Sequence, residues 1–328
     1  MNSFVKRMAA FGLTAFVLVA PVSSVQSQQP VAGLTLRAIA ANDDDYARSV
    51  AGKSIFDGMG RSSEETSTVT ANRFTSAKFP YSAVQKAITE HSAINKDVKA
   101  WLMIPNTNIN RPVTFSSQDN NYYVYRDWRG TNYPNTTYQN YPDTATYMDF
   151  RTVLGNNWNS SSKNIVIYGH NWNNLRNPMV IGDKPGYLMF AQLPSYTNID
   201  FAKTNAHIYF SSGENEGIWR VFAAGYCELS AEFFYNNPSP TTNEMQSILN
   251  EWKQRSLFNF DVDVNTNDRL LTLSTCTRQF DAGSMQRYVV VARLLRDGET
   301  ENDIVNVTVN PSVKQPKFDA QAAAQAAS

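Results

Sequence analysis

The chain has 328 residues, and its 29 Lys+Arg are balanced by 29 Asp+Glu, giving a net charge of zero. That length holds two average domains or one with appendages, and the zero balance argues against a nucleic-acid partner, which selects a basic excess or stripe. Two cysteines exclude a disulfide scaffold and a four-cysteine zinc module, and any imidazole chemistry must use His91, His170 or His207.

Lys6 and Arg7 open a targeting segment whose apolar part, Met8–Val22, covers about 15 residues, short of the ~20 that span a bilayer. Pro21, Ser23 and Ser24 break it, and Val25-Gln26-Ser27 has a small-x-small cleavage pattern. Residues 1–27 are therefore expected to be a signal peptide or an uncleaved signal anchor, with the rest of the chain exported. On length alone cleavage is favoured. Residues 28–80 are polar, with an acidic knot at Asp43–Asp45 and a Ser/Thr run, and read as an extracytoplasmic linker.

The spacing of Val84, Ala87 and Ile88 predicts a helix over Tyr81–Ala93, with His91 near its C-terminus interacting with the helix dipole. From Trp101 the pattern turns to short β runs: WLMIP, RPVTFS, NYYVYRDW, TATYMDFR and NIVIY (Asn164–Tyr168). His207–Ser211 and Ile218–Glu228 continue the series. Ser239–Ser256 reads as a helix capped by Thr or Asn, with Met245, Ile248, Leu249 and Trp252 on one face. Arg269–Thr275 and Arg287–Leu295 close the domain, and Phe318–Ser328 reads as a disordered tail. Many short strands with few helices indicate a closed or sandwich-like β domain at about residues 95–312.

Two strand ends carry candidate chemistry. His170 follows NIVIYG, where a strand holds its backbone while the side chain reaches an open rim; the alternative is a surface histidine in an Asn-rich loop. Cys276 ends RLLTLSTC beside the polar Thr277-Arg278-Gln279. Arg287 opens the next strand, so a connecting loop would bring it to Cys276, where a guanidinium can lower a thiol pKa and bind an oxyanion. Arg278, Arg293 and Arg296 compete with it; Arg293 shares its strand parity but lies deeper. Cys227, inside an apolar strand, reads as core. His207 opens a strand with no rim motif around it. In an exported protein the default for two cysteines is a disulfide, here Cys227–Cys276 in a non-catalytic β module.

TLSTC (Thr272–Cys276), RYVVVARL (Arg287–Leu294) and, upstream, IVIYGH (Ile165–His170) resemble the sortases, cysteine transpeptidases of Gram-positive bacterial surfaces. DNNYYVYRDW (Asp119–Trp128), YMDFR (Tyr147–Arg151) and the helix before the cysteine strand resemble the class B subgroup. The resemblance covers roughly residues 80–297. It implies a mainly β fold: an eight-stranded barrel with N-terminal helices and one long helix inserted before the catalytic cysteine strand. It implies catalytic Cys276, His170 and Arg287, and substrate-binding Ser274, Thr275, Asn121 and Tyr122, with no cofactor and no metal. Its partners would be the sorting-signal peptide of a surface protein and an amine from a cell-wall precursor or a pilin. Sortases keep the N-terminal segment as an anchor, which favours a membrane-tethered enzyme with its catalytic domain, residues 81–297, outside the cell. A peptidase hydrolysing the same thioester would use the same three residues. The departures are the Asn/Ser-rich loop before NIVIYGH, the NWNN that follows His170, a lengthened GDKPGYLMFAQL segment, and the extension 298–328.

Overall fold

The computed structural model describes residues 79–134, 143–171, 188–280 and 285–318. The N-terminal segment, nearly all of the linker, the NWNN turn after Asn171, the first part of the GDKPGYLMFAQL segment and the last ten residues lie outside them. Among the described residues no helix is long and apolar enough to cross a membrane.

Pro80, which cannot extend a helix backwards, precedes α1 (Tyr81–Ile94). Its Val84, Ala87 and Ile88 are buried, packed with Phe79 on Trp101, Tyr209, Ile218 and Leu295. His91, in the last turn, donates Nδ1–H to the Ala87 carbonyl at 2.8 Å. Its ring is wedged against Trp101 and Trp128 at 5.0 and 4.5 Å, and burial holds its pKa below the usual histidine value.

The apolar runs then form β1 (Val98–Met103), β2 (Asn110–Thr114), β3 (Thr146–Met148), β4 (Asn164–Tyr168), β5 (His207–Ser212), β6 (Ile218–Glu228), β8 (Leu270–Cys276) and β9 (Gln286–Leu294). They close into an eight-stranded barrel in the order β1-β2-β3-β4-β8-β9-β6-β5. The β2–β3 and β4–β8 pairs are parallel and the others antiparallel. β6 is buried along nearly its whole length because β9 and β5 flank it and α4 (Thr242–Arg255) covers it. α4 starts at a capping box, Thr241 with Glu244, and buries Met245, Ile248, Leu249 and Trp252, the face read from the sequence.

Some elements depart from the sequence reading. Residues 120–125 form turns and not a strand, with Arg126 making only an isolated bridge to Asn132, because short polar side chains bond the local backbone, as when Asn121 N donates to Asp119 Oδ1 at 2.7 Å. Two short helices, α2 (Ile199–Thr204) and α3 (Leu229–Tyr235), lack the length for a periodic signal. A two-stranded ribbon joins β7 (Phe258–Phe260) to β10 (Val307–Val309), so the extension past the expected domain end is packed against it.

Candidate active site

Strand register assembles the site. β8 and β9 are antiparallel with Cys276 opposite Arg287. β4 and β8 are parallel with Tyr168 opposite Ser274, so two further residues bring His170 level with Cys276. Bonds continue past the ends of the strands: Gly169 N donates to Ser274 O at 3.3 Å, Thr275 Oγ1 to Gly169 O at 2.7 Å, and Asn171 Nδ2 to Cys276 O at 3.2 Å. Gly169 is required here, since a Cβ would lie 2.8 Å from the Phe190 ring. A groove of about 280 Å³ opens over this end of the sheet. Cys276, Ser274, Thr275, Arg287 and Asn121 all line it.

His170 is half-buried: Tyr125 stacks on the ring at 6.1 Å, and Nε2–H donates to the Val124 carbonyl at 2.6 Å. That bond puts the proton of the neutral ring on Nε2 and the lone pair on Nδ1. Burial holds the imidazole below the usual histidine pKa; the Val124 carbonyl opposes this and the Arg287 charge reinforces it. Burial works to lower the Arg287 pKa, but the negative charges of a Cys276 thiolate and of Glu232 outweigh it.

Cys276 and Cys227 are both free thiols. Cys227 is Arg287's partner on β6, so the two cysteines lie on opposite sides of β9. Two strand spacings make that about 10 Å, beyond the ~7 Å Cα limit for a disulfide. This removes the disulfide-bridged reading. Cys227 is fully buried, and desolvation raises its pKa well above the usual thiol value.

Sequence reasoning missed Glu232. It lies on α3, 6% exposed, and reaches into the groove. One carboxylate oxygen accepts Arg287 Nε at 2.9 Å; the other accepts the Ser274 hydroxyl and Asn236 Nδ2, the latter at 3.2 Å. Ser274 therefore spends its proton on Glu232, and Thr275 spends its own on Gly169. No local motif announces Glu232, because its role depends on α3 folding back over β8 and β9.

Asp149, in YMDFR, is a second buried hub that carried no role in the sequence reading. It accepts Asn120 Nδ2 and Tyr168 OH at 3.0 Å each, and Arg151 Nε and Nη2 at 2.8 and 2.9 Å. Burial would raise its pKa, but the Arg151 side-chain and backbone donors and Asn120 hold it below the usual carboxylate range. Asn120 and Tyr168 line the groove, and Arg151 Nη2 also reaches the Asn236 carbonyl at 3.0 Å. Asp149 thus ties two groove walls to α3. Tyr122 is not brought to the groove: its ring carries the Arg126 guanidinium at 4.3 Å and packs edge-on to Tyr123. The aromatic walls are Tyr147 and Tyr168.

No protein-family model matches the chain. It is 28% identical over 200 residues to sortase B of Listeria monocytogenes, covering 60% of this chain and 70% of the relative. Its fold matches a Staphylococcus aureus sortase B-substrate complex with a TM-score of 0.52 and 26% identity, covering 65% of this chain and 86% of the other. The protein is sortase B-like. A sortase B complexed with triglycine is similar as well, at TM-score 0.51 and 25% identity over 65% of this chain and 86% of that one.

Proposed function

We propose that this sortase B-like protein is an extracytoplasmic cysteine transpeptidase, held to the membrane by residues 1–27, that anchors surface proteins to the cell wall. The observation that carries the reading is the Cys276–Arg287 pairing at one end of the barrel with His170 at the same level on the neighbouring strand. The similar sortase B structures with a substrate and with triglycine support a peptide donor and an amine acceptor as partners.

The sorting peptide lies in the groove over Ser274, Thr275 and Asn121. The Cys276 thiolate attacks the scissile carbonyl carbon, forming a C–S bond as the carbonyl pair moves onto oxygen. Arg287 donates to that oxyanion. Collapse breaks the C–N bond, and the departing amine takes a proton from His170, leaving a thioester. An acceptor amine attacks the thioester, gives its proton to His170 and releases the thiolate as the new amide forms. Burial lowers the His170 pKa, which favours the neutral imidazole over the imidazolium.

Mass spectrometry of the full-length protein incubated with a small library of sorting peptides tests this. We expect a covalent acyl adduct on Cys276, resolved to an amide when an amine is added and only slowly to the acid without one. Cys276→Ala abolishes adduct and transfer, while Cys227→Ala keeps most of both. Equal loss in two folded variants would mean that the nucleophile is misassigned. Hydrolysis unaffected by amine would identify a peptidase.

A further inference from the structure

The extension after β9 returns to the catalytic end of the barrel. After β10 its path is fixed step by step: Asn310 Nδ2 donates to Ser256 O at 2.8 Å, Lys314 N to Gln254 O at 2.9 Å, and Lys314 Nζ pairs with Glu251. Lys317 N then reaches Glu228 Oε2 at 3.4 Å. Glu228 is the residue on which α3 starts, and it is also held by Arg255 through two bonds of 2.9 Å. Beside it, the Phe318 ring packs on Phe280 at 5.6 Å.

Phe280 lies in the connection between Cys276 and Arg287. Its ring continues onto Tyr226 at 5.3 Å, and Tyr226 meets Tyr288 at 5.0 Å. The Gln286 side chain clasps the Phe280 backbone from both sides: Oε1 accepts Phe280 N at 2.7 Å and Nε2 donates to Phe280 O at 2.5 Å. The Gln286 carbonyl in turn accepts Arg287 Nη1 at 3.0 Å. A continuous path therefore runs from Phe318 through Phe280 and Gln286 to the guanidinium. The same strap grips the root of α3, which carries Glu232, the other anchor of Arg287.

We propose that the C-terminal segment from β10 to Phe318 is a strap that positions the β8–β9 connection, with Phe318 a positioning residue for Arg287. The proposal rests on the transpeptidase reading for its kinetic consequence. An edge-to-face or tilted aromatic pair contributes beyond the area it buries. Misplacing an oxyanion donor by a fraction of its hydrogen-bond length is costly, because the transition state rewards only aligned donors.

The test compares full-length wild type with Phe318→Ala, Phe318→Trp, Phe280→Ala and the Phe280→Ala/Phe318→Ala double variant. Val309→Ala is the control, since Val309 is in the same strap, exposed, and remote from the loop. With the peptide that acylates Cys276 fastest, Phe318→Ala should lower kcat by about three- to tenfold with KM little changed and the melting temperature kept. Phe318→Trp should restore most of the rate, and the double variant should be no slower than Phe280→Ala alone. Amide hydrogen exchange, which needs no substrate, should show faster exchange around Phe280 and Gln286 in Phe318→Ala and not in Val309→Ala. Unchanged exchange in Phe318→Ala, or single losses that multiply in the double variant, would overturn the strap. Absence of any adduct on wild-type Cys276 would instead overturn the transpeptidase reading, with the exchange experiment still deciding the strap.

Discussion

Arg287 is held by a carboxylate that its proposed role must either use or overcome. Glu232 binds Nε, the nitrogen on the inner side of the guanidinium, and the Gln286 carbonyl takes Nη1. That geometry fits a support, because it fixes the plane in which the terminal nitrogens present their donors to a substrate oxygen. Charged hydrogen bonds between largely buried groups contribute about 1.5–3 kcal/mol, equivalent to roughly a tenfold effect or more on a rate that depends on the alignment. We therefore expect Glu232→Ala to lower kcat/KM about tenfold, with Glu232→Gln intermediate, since an amide oxygen can still accept one donor. Arg287→Ala and Arg287→Lys should lose at least about 10²–10³. Steady-state assays on folded variants check both, and a Glu232→Gln faster than wild type would make Glu232 a brake on Arg287. The strand-end places of Cys276, His170 and Arg287 are legible in the sequence one strand end at a time, while their choice as a catalytic set comes from the family resemblance. Glu232 and Asp149 are not legible, since the groove residues they hold, Ser274 and Arg287 for Glu232 and Asn120 and Tyr168 for Asp149, lie 19 to 55 positions away and come near only in the closed barrel. The resemblance implies Tyr122 as a substrate contact, but Asp119 and Asn121 turn its block locally and its ring packs on Arg126 and Tyr123.

Among the elements, β6 and α4 are readable because both are long enough for periodicity to show. What the sequence hides is how closely they meet. Gly225 on β6 bridges Ser256 just past the end of α4. Ala224 N donates to Ser256 Oγ at 3.1 Å, and Leu257 N to Ala224 O at 2.8 Å. A Cβ at Gly225 would lie 2.2 Å from the Arg255 carbonyl oxygen, a backbone atom that cannot rotate away. Gly225→Ala should therefore push the α4 end off the strand and destabilise the domain by about 1–3 kcal/mol, the usual cost of overpacking. Thermal melts followed by circular dichroism measure it, and a melting temperature equal to wild type would show that the helix end yields freely. The consequence reaches the site, because the neighbouring Arg255 holds Glu228 at the root of α3.

Across the whole molecule, the barrel end opposite the candidate site carries a charge network of its own, separate from the Arg287–Glu232 pair. Arg293 shares β9 with Arg287, but it pairs with Leu270 at the start of β8, roughly 20 Å along the strand from Cys276. There it is 1% exposed and bound to Glu299 at 2.5 and 2.6 Å, with Arg220 reaching Glu299 at 3.1 Å and Asp303 at 2.7 Å. Burial would raise the Glu299 pKa, but the bonds from Arg293 and the Arg296 backbone, with the Arg220 charge, bring it down to about 2. A folded-state pKa below the unfolded carboxylate value of about 4.3 means that the folded state binds fewer protons than the unfolded one. The stabilisation is thus complete above pH ~4.3 and lost as pH falls toward 2. His91 and His170, both held below the usual histidine value, lose theirs earlier, as pH falls below about 6.5. A plot of melting temperature against pH should accordingly descend in two stages. Glu299→Gln should shrink the acidic stage, to which Asp149, Glu228 and Glu251 also contribute, and lower stability at neutral pH, leaving the histidine stage intact. Arg293→Ala should cost about 2–4 kcal/mol, below the upper end for a buried pair because Glu299 keeps 22% of its side chain in water. Activity per folded molecule should survive both changes, since neither residue approaches the groove. A folded Arg293→Ala without activity would mean that the two ends of the barrel are coupled along β9.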